Sequence, residues 1–218
     1  LRFDAIKDFQ PVSLVASVHN VVAVNPKSGI QSLADLLAKA KANPGKLSYS
    51  SCGTGTLCHL TGELLQTQTG TELLHVAYKG SAPAVTGLLG GEVDVAVDTV
   101  TVLAPQIQAG KLKGLVQSSA KRSPLLPGVP SAPEAKVPGF LAEGWFGVVL
   151  PKGAPQPVVD RLQREIHAIA TKPQTAQALQ ERGIAVAHNT PAEFAALIRK
   201  DHASWGKVVQ AAQLQLDP

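Results

Sequence analysis

The sequence predicts an α/β protein in which strands alternate with helices around a largely parallel sheet. Short stretches of strand character, either rich in Val or alternating between apolar and polar residues, are separated by segments with apolar residues at helical spacing. The composition is that of a globular protein, because 44 % of the 218 residues are hydrophobic and 17 % are charged. No long period repeats along the chain, which excludes a solenoid.

The first half of the chain predicts strands and helices in regular alternation. Strands are expected over residues 11–25, 46–51, 72–78, 92–100 and 112–119. Helices are expected from the cap at Ser32 to the stop at Asn43-Pro44-Gly45, and over residues 56–67, 79–91 and 102–111. This order is typical of units that build a parallel sheet.

The second half begins with a long loop over residues 120–139, which contains five prolines and one expected helical turn at 132–135. Loops of this length commonly have a function or connect two lobes. A strand over 142–151, helices over 156–171 and 173–183, a short strand over 184–189 and a final helix over 190–213 are expected to follow. The final helix begins with a capping box formed by Thr190 and Glu193.

Charge and hydropathy exclude two classes of function. The formal net charge is +4, but Lys and Arg form no dense run, so we expect no nucleic-acid partner. No apolar run is long enough to predict a membrane-spanning helix. The chain contains no Met and shows no signal peptide at Leu1, so we expect a processed or truncated chain.

The stretch SSCGTGTLCHLTGEL, residues 50–64, contains both cysteines of the chain and is the first candidate site. A c-type haem needs Cys-x-x-Cys-His, and the spacing from Cys52 to Cys58 is three residues too long. A zinc site could use Cys52, Cys58, His59 and His75, although structural zinc sites normally have paired short spacings. A cysteine nucleophile would be activated at a helix N-terminus, but Cys58 and His59 would point about 100° apart on a helix.

Two further alternatives for this stretch are an anion-binding loop and a plain glycine turn that caps a helix. A strand, a glycine loop and a helix N-terminus together form an anion site from free backbone N–H groups. Gly53 and Gly55 permit close backbone approach, and the hydroxyl groups of Ser51, Thr54 and Thr56 would add donors. No Gly-Lys-Ser/Thr follows, so the pattern favours a small carboxylate over a nucleotide phosphate.

A second loop and a strand end extend the anion-binding hypothesis. Residues 78–83 (YKGSAP) also lie between a predicted strand and a predicted helix, and Asp98 lies at the end of a third strand. The carboxyl ends of parallel strands line one crevice, where ligands bind. The ordinary alternatives are a solvated Lys79 and an Asp98 that only caps the next helix.

Four longer stretches carry a resemblance to a known family. They are ANPGKLSYSSCGTGTLCHLTGEL, HVAYKGSAPAVTGLLGGEVDVAVD, AGKLKGLVQSSAKRSPLLPGVPSAPEA and GFLAEGWFGVVLPKGAP. They resemble the Bug family, the tripartite tricarboxylate transporter receptors, which are extracytoplasmic solute-binding proteins of Gram-negative bacteria. The resemblance covers nearly the whole chain. It implies a two-lobed periplasmic-binding fold of type II, a periplasmic location, a small carboxylate ligand and membrane permease subunits as partners, with no catalysis, cofactor or metal.

The resemblance also implies which residues bind the ligand and where the lobes divide. The implied ligand-binding residues are Ser51, Thr54, Gly55, Thr56, His59, Tyr78, Lys79, Gly80, Asp98 and Trp145. Trp145 would be a wall of the cleft, and the alternative for it is an ordinary core tryptophan. The second lobe would span residues 25–140, and residues 1–24 and 141–218 would form the crossover strands and the remainder of the first lobe.

The sequence departs from the family pattern in two places. Family members begin with a further segment, so we expect an incomplete first lobe whose exposed apolar surface favours an oligomer. Cys58 stands where relatives commonly have a polar residue such as Gln. In an oxidising periplasm Cys58 could form a disulfide with Cys52, and two reduced thiols are the alternative.

The sequence is therefore compatible with three functions. The first is a receptor for a small organic carboxylate, whose identity the sequence does not give, although Asp98 would suit an ammonium group on the ligand. The second is a truncated interaction or scaffold module that binds no ligand. The third is a thiol-dependent enzyme at Cys52 and Cys58.

Overall fold

The computed structural model describes residues 3–214, and the chain divides there into two compact units. The first unit comprises residues 3–18 and 144–207, and the second comprises His19–Glu143 together with 208–214. The predicted lobe boundaries at 24/25 and 140/141 stay a prediction; residues 208–214, which were expected outside the second lobe, belong to the second unit. The ends of the predicted first-lobe segments, residues 1–2 and 215–218, lie outside the described residues.

Most of the expected helices and strands are present with small changes at their ends. The strands are β1 Phe9–Val24, β2 Ser48–Ser51, β3 Leu74–Ala77, β4 Val95–Thr99, β5 Lys113–Gln117, β6 Glu143–Pro151 and β7 Ala185–Val186. The helices are α1 Leu33–Ala42, α2 Leu57–Thr69, α3 Ser81–Gly90, α4 Val100–Gln108, α5 Gln156–Ala170, α6 Pro173–Gln180 and α7 Pro191–Ala211. A short 3₁₀ helix over Pro26–Ser28, which the sequence did not predict, follows β1. No helix within residues 3–214 is both long and apolar enough to cross a membrane.

The sheet of the second unit is mixed, which corrects the expectation of a largely parallel one. Its strand order is β3-β2-β4-β1-β5. Strand β2 runs parallel to β3 and β4, but β1 runs antiparallel to β4 and β5, with Val21 opposite both Asp98 and Gln117. In the first unit, β7 pairs antiparallel with β1 at Ala16 and Ser17. The periodic pattern of a strand gives its existence but not the direction of its neighbours.

The parallel part of the sheet brings three helix N-termini to one edge. Strands β2, β3 and β4 are neighbours with the same direction, and each leads into a helix, α2, α3 or α4. Because their carboxyl ends share one edge, the loops before these helices meet there. This edge of the second unit is where the predicted ligand loops lie.

Two apolar cores cover the two faces of this sheet. Val22 and Val24 of β1 pack on one face with Leu36, Tyr49 and other side chains from α1, β2 and α2. The alternate residues Val21 and Ala23 pack on the other face with side chains from α3 and α4. A strand that is buried on both faces needs apolar residues at successive positions, which explains the Val-rich sequence of β1.

The loop over residues 120–139 belongs to the core rather than to the surface alone. Phe140, at its end, is fully buried in the first core, and Leu126 and Val129 are buried in the second. The buried Gln117 amide donates to the carbonyl oxygens of Leu126 and Val129, at 3.0 and 2.7 Å. Residues 132–135 form a single turn, closed by the Ala135 N–H on the Ser131 carbonyl, and no helix.

The first unit packs a fully buried phenylalanine against a glycine. Phe194 of α7 is completely buried, its ring packs edge-to-face on Trp145, and it leaves no space for a side chain at Gly147. On the other hand, Phe146 and Ile169 are 57 % and 54 % exposed.

Gly62 and Gly206 provide a matched pair of predictions on stability. Gly62 lies in α2, where an added Cβ would be 2.3 Å from the Tyr49 ring, whereas an added Cβ at Gly206 in α7 meets nothing within 4 Å. We expect Gly62→Ala to lower the free energy of unfolding by about 1–3 kcal/mol through overpacking. We expect Gly206→Ala to raise it by about 0.5–1 kcal/mol, because alanine loses less backbone entropy in a helix. Urea denaturation measures both, and a Gly62→Ala variant as stable as Gly206→Ala would contradict the packing at Tyr49.

Candidate functional site

The loop between β2 and α2 is shaped by two glycines and a capping threonine. Gly53 and Gly55 have φ angles of +134° and +74°, which residues with a Cβ rarely adopt. Thr56 is the N-cap of α2: its hydroxyl donates to the Gly53 carbonyl at 2.6 Å and accepts from the His59 N–H at 3.5 Å. These contacts fix the path of residues 52–56, which we call the glycine loop.

The glycine loop and the start of α2 present backbone N–H groups without acceptors. Within the part of the chain that the structure describes, the N–H groups of Thr54, Leu57 and Cys58 have no hydrogen-bond acceptor. Such orphan donors at a helix N-terminus, together with the helix dipole, favour a negatively charged partner. At α3, the N-cap is Gly80, with φ +109°, so this helix, unlike α2, begins without a capping side-chain oxygen.

Asp98 lies at the end of β4 among these helix starts and is 2 % exposed. Its Oδ1 accepts the Thr99 N–H at 2.7 Å and lies 3.7 Å from the Cys58 sulfur. Its Oδ2 is buried without a hydrogen-bond partner among the described residues. Burial raises the pKa of Asp98, and the hydrogen bond from the Thr99 N–H opposes this effect only in part.

Replacing Asp98 by Asn is expected to stabilise the ligand-free protein at neutral pH. The pKa of the buried carboxyl lies above the unfolded value of 3.8, so the native state binds the proton more tightly than the unfolded state does. Its ionisation therefore costs stability progressively as pH rises from 3.8 to the raised pKa of the native state, and above that pKa the loss is constant. We expect the thermal midpoint of Asp98→Asn to exceed that of the wild type at pH 7 and to approach it at pH 3.5. A wild type that is more stable than Asp98→Asn at pH 7 in the absence of ligand would contradict this result.

The two cysteines of the glycine loop region form a disulfide. The Cα atoms of Cys52 and Cys58 are 6.0 Å apart and both sulfurs are consumed in the bond. The two sulfurs and an oxygen of Asp98 lie within 4.8 Å of one another, but bonded sulfurs are neither thiolate ligands for a metal nor nucleophiles. The zinc and thiol-enzyme alternatives therefore have no reactive thiol in this structure.

His59 lies behind the glycine loop and is 3 % exposed. Its Nδ1 accepts the Gly55 N–H at 3.1 Å, and its ring stacks on that of His75, with centroids 3.7 Å apart and planes 7° from parallel. His75 Nε2 is 2.7 Å from the hydroxyl of the buried Ser51, which also accepts the Gly53 N–H at 3.2 Å. That His59 contacts a ligand stays a prediction; the contacts described by the structure are with the loop itself.

The predicted second loop contributes backbone rather than its longest side chains. The Tyr78 N–H donates to the Ser51 carbonyl at 3.1 Å, and this joins the two loops. The Tyr78 side chain packs over Gly87 of α3, and its hydroxyl donates to Glu92 at 3.1 Å. Lys79 is exposed. Ser51, Thr54, Gly55, Thr56, Gly80 and Asp98 are thus gathered around one edge of the second unit.

Comparison with known proteins identifies the family. Residues 1–214 match the model of the tripartite tricarboxylate transporter family receptor. The chain belongs to this family. Among curated relatives, a protein encoded in the tcbD–tcbE intergenic region of Pseudomonas sp. is 40 % identical over 95 % of the chain and 62 % of its own length. The BugT protein of Bordetella pertussis is 33 % identical over 99 % of the chain and 66 % of its own length.

Solved structures of tricarboxylate transporter receptors and other periplasmic proteins have the same fold. A periplasmic transporter structure is 40 % identical, with a TM-score of 0.88 over 100 % of this chain and 72 % of its own. A Rhodopseudomonas palustris protein solved with adipate is 33 % identical, with a TM-score of 0.87 over 97 % and 71 %. MatC of the same organism, solved with malate, is 26 % identical, with a TM-score of 0.82 over 96 % and 72 %. The fold is therefore the α/β fold of periplasmic solute-binding proteins.

The chain spans 62–66 % of the length of the first curated relatives that it matches. The expectations of an incomplete first lobe and of an oligomer stay predictions.

Trp145 belongs to the first unit, whereas the other predicted site residues belong to the second. Its indole N–H donates to the Asp201 carboxylate of α7, and its ring packs on Phe194. These contacts are those of a structural tryptophan, and its role as a wall of the receptor's cleft stays a prediction.

Sequence reasoning named His75 only as a candidate zinc ligand and missed Asn20. His75 Nε2 lies 2.7 Å from the Ser51 hydroxyl. Asn20 of β1 is fully buried and donates to Thr61 of α2 at 2.7 Å. The positions of both residues depend on strand pairing that the sequence alone does not give.

Proposed function

We propose that this chain is a periplasmic receptor that captures a small organic dicarboxylate at the glycine loop and delivers it to the membrane subunits of a tripartite tricarboxylate-type transporter. The observation that carries the proposal is the set of unpartnered N–H groups at Thr54, Leu57 and Cys58, beside a helix N-terminus. A carboxylate has the acceptors and the charge that complement such donors.

Three features support a bound carboxylate over a phosphate or a metal. The donors are backbone amides and hydroxyl groups, and Lys79, the cation of the second loop, is exposed. The family is named for tricarboxylate transport, and two structural relatives were solved with adipate and with malate. The described residues also offer no free thiol as a metal ligand, because both cysteines are in the disulfide.

The proposal is tested by isothermal titration and thermal shift with adipate, malate, succinate and citrate. A ligand that binds only the folded state raises its stability by about 2.7 kcal/mol at a concentration of 100 Kd. We expect such a shift for at least one dicarboxylate and none for the matching diamide, which has the same shape without the charge. If no acid binds, the receptor proposal fails for this chain and the scaffold alternative becomes the one to examine.

The position of the site is tested by two N-cap substitutions of matched cost. Thr56 caps α2 at the glycine loop and Ser32 caps α1, which follows the antiparallel strand β1. Either change to Ala lowers the free energy of unfolding by about 1 kcal/mol through the lost cap. Only Thr56→Ala is expected to weaken ligand binding as well. Equal affinities in the two variants would place the ligand elsewhere.

A further inference from the structure

Two stacked imidazoles lie behind the two glycine N–H groups of the glycine loop, one in direct contact and one through the Ser51 hydroxyl. Gly55 donates directly to His59 Nδ1 at 3.1 Å. Gly53 donates at 3.2 Å to the Ser51 hydroxyl, which lies 2.7 Å from His75 Nε2. The rings of His59 and His75 are in face-to-face contact, at 3.7 Å between centroids. The conformation of the loop therefore depends on whether the nitrogens of these two rings can accept hydrogen bonds.

Acceptance by His59 Nδ1 requires that this nitrogen carries no proton. The neutral ring then has its proton on Nε2, which lies 3.7 Å from the Glu63 carboxylate. A second proton, on Nδ1, would place two N–H donors opposite each other, and the Gly55 N–H would lose its acceptor. Because backbone N–H groups are seldom left buried without an acceptor, the loop would have to move.

The groups that face the pair come from three elements. Glu63 projects from α2, its Oε1 accepts from the Tyr49 hydroxyl of β2, and His75 projects from β3. The Glu63 side chain is 16 % exposed. Burial lowers the pKa of His59 despite Glu63, and burial together with the charge of His59 lowers the pKa of His75 to about 4. Both rings are therefore neutral at pH 7, the state in which the loop is held as observed.

We propose that His59 is a positioning residue, which orients the ligand-binding amides of the glycine loop through its unprotonated Nδ1 and so makes ligand affinity fall in acid. The proposal rests on the proposed receptor function only for its effect on affinity. The contact between His59 and Gly55 stands without it. Because the pKa of His59 is below 6.5, the loss is expected as pH falls below that value, and affinity is constant above it.

Two substitutions at His59 separate positioning from simple structural support. His59→Asn retains an acceptor near the position of Nδ1 but does not titrate, whereas His59→Leu removes the acceptor. At pH 7 we expect His59→Leu, which lacks the acceptor, to bind a dicarboxylate about fivefold more weakly than His59→Asn, as for the loss of one hydrogen bond. Once the pH is low enough to protonate His59, the wild type should have lost about fivefold more affinity than His59→Asn does over the same pH range.

Titration of the ligand and of Asp98 affects both proteins equally, so only the difference between the two pH profiles is assigned to His59. Far-UV circular dichroism at each pH confirms that the protein compared is folded. Identical profiles for wild type and His59→Asn, or an unimpaired His59→Leu at pH 7, would overturn the proposal.

A measurement without ligand distinguishes failure of this inference from failure of the receptor function. The Gly55 amide cross-peak in a ¹H–¹⁵N spectrum is followed from pH 7 to pH 4.5 in both proteins. We expect it to shift with the titration of His59 in the wild type and to stay in place in His59→Asn. If it behaves so while no carboxylate binds, the receptor function has failed and the positioning contact stands. If it does not shift in the wild type, the inference fails whatever binds.

Discussion

Phe140→Ala is expected to produce the largest loss of stability, about 3–5 kcal/mol in the free energy of unfolding, as for other buried aromatic truncations. The ring is fully buried in the core on the α1 and α2 face of the sheet, at the end of the loop over 120–139. Its removal leaves a cavity and releases the end of a loop that has no helix or strand of its own. In a chain of this size the thermal midpoint should fall by about 6–20 °C.

The neighbouring Leu141 is the matched control for this prediction. Its side chain is 50 % exposed. Leu141→Ala is therefore expected to change the free energy of unfolding by less than about 0.5 kcal/mol. Differential scanning calorimetry of both variants checks the contrast. Similar midpoints for Phe140→Ala and Leu141→Ala would show that the loop is not anchored by the aromatic ring.

Removal of the disulfide is the second large effect, because it changes both stability and ligand binding. The bond closes a short loop between residues separated by 6 positions. Loop-closure entropy for a ring of this size gives a loss of about 2 kcal/mol in the Cys52→Ala/Cys58→Ala double variant. The same bond ties the glycine loop to the first turn of α2, so a carboxylate ligand should bind more weakly to the opened loop.

A reductant provides an independent check on the double variant. The sequence contains no cysteine besides these two, so dithiothreitol has one target in this chain. The reduced wild type and the double variant should have similar, lower thermal midpoints than the oxidised wild type. An oxidised wild type that melts together with the double variant would contradict a stabilising bond.

The elements of the fold were largely predictable, because their signals are local. Ser32 and Thr56 were expected at helix starts, and both are N-caps in the structure. The Thr190 and Glu193 capping box is present, with the Thr190 N–H and hydroxyl on the Glu193 carboxylate. The direction of β1 could not be predicted from its own residues, since a run of valines packs equally well in either direction.

The site was predictable as a set of loops but not as a set of contacts. Strand, glycine loop and helix are sequence signals, so the stretch from Ser51 to His59 could be named before the structure. Which hydroxyl groups and rings are already engaged depends on pairing between distant strands. Ser51 bonds His75 of β3, and His59 turns its ring inward to the same residue. Asp98 was expected at a strand end. That its Oδ2 is buried without a partner depends on tertiary packing, which the sequence does not give.

The position of β1 in the sheet has a consequence for the rate at which the chain folds. This strand comes first in the sequence but lies between β4 and β5. The pairing of Val21 is therefore complete only when both Asp98 and Gln117 are in place. Contacts between such distant residues require closure of long chain segments before they contribute any stabilisation, and domains dominated by them fold in milliseconds to seconds. A nascent chain that ends before β5 lacks one of the two neighbours of β1 in the sheet, which leaves a valine-rich edge open for a chaperone to bind.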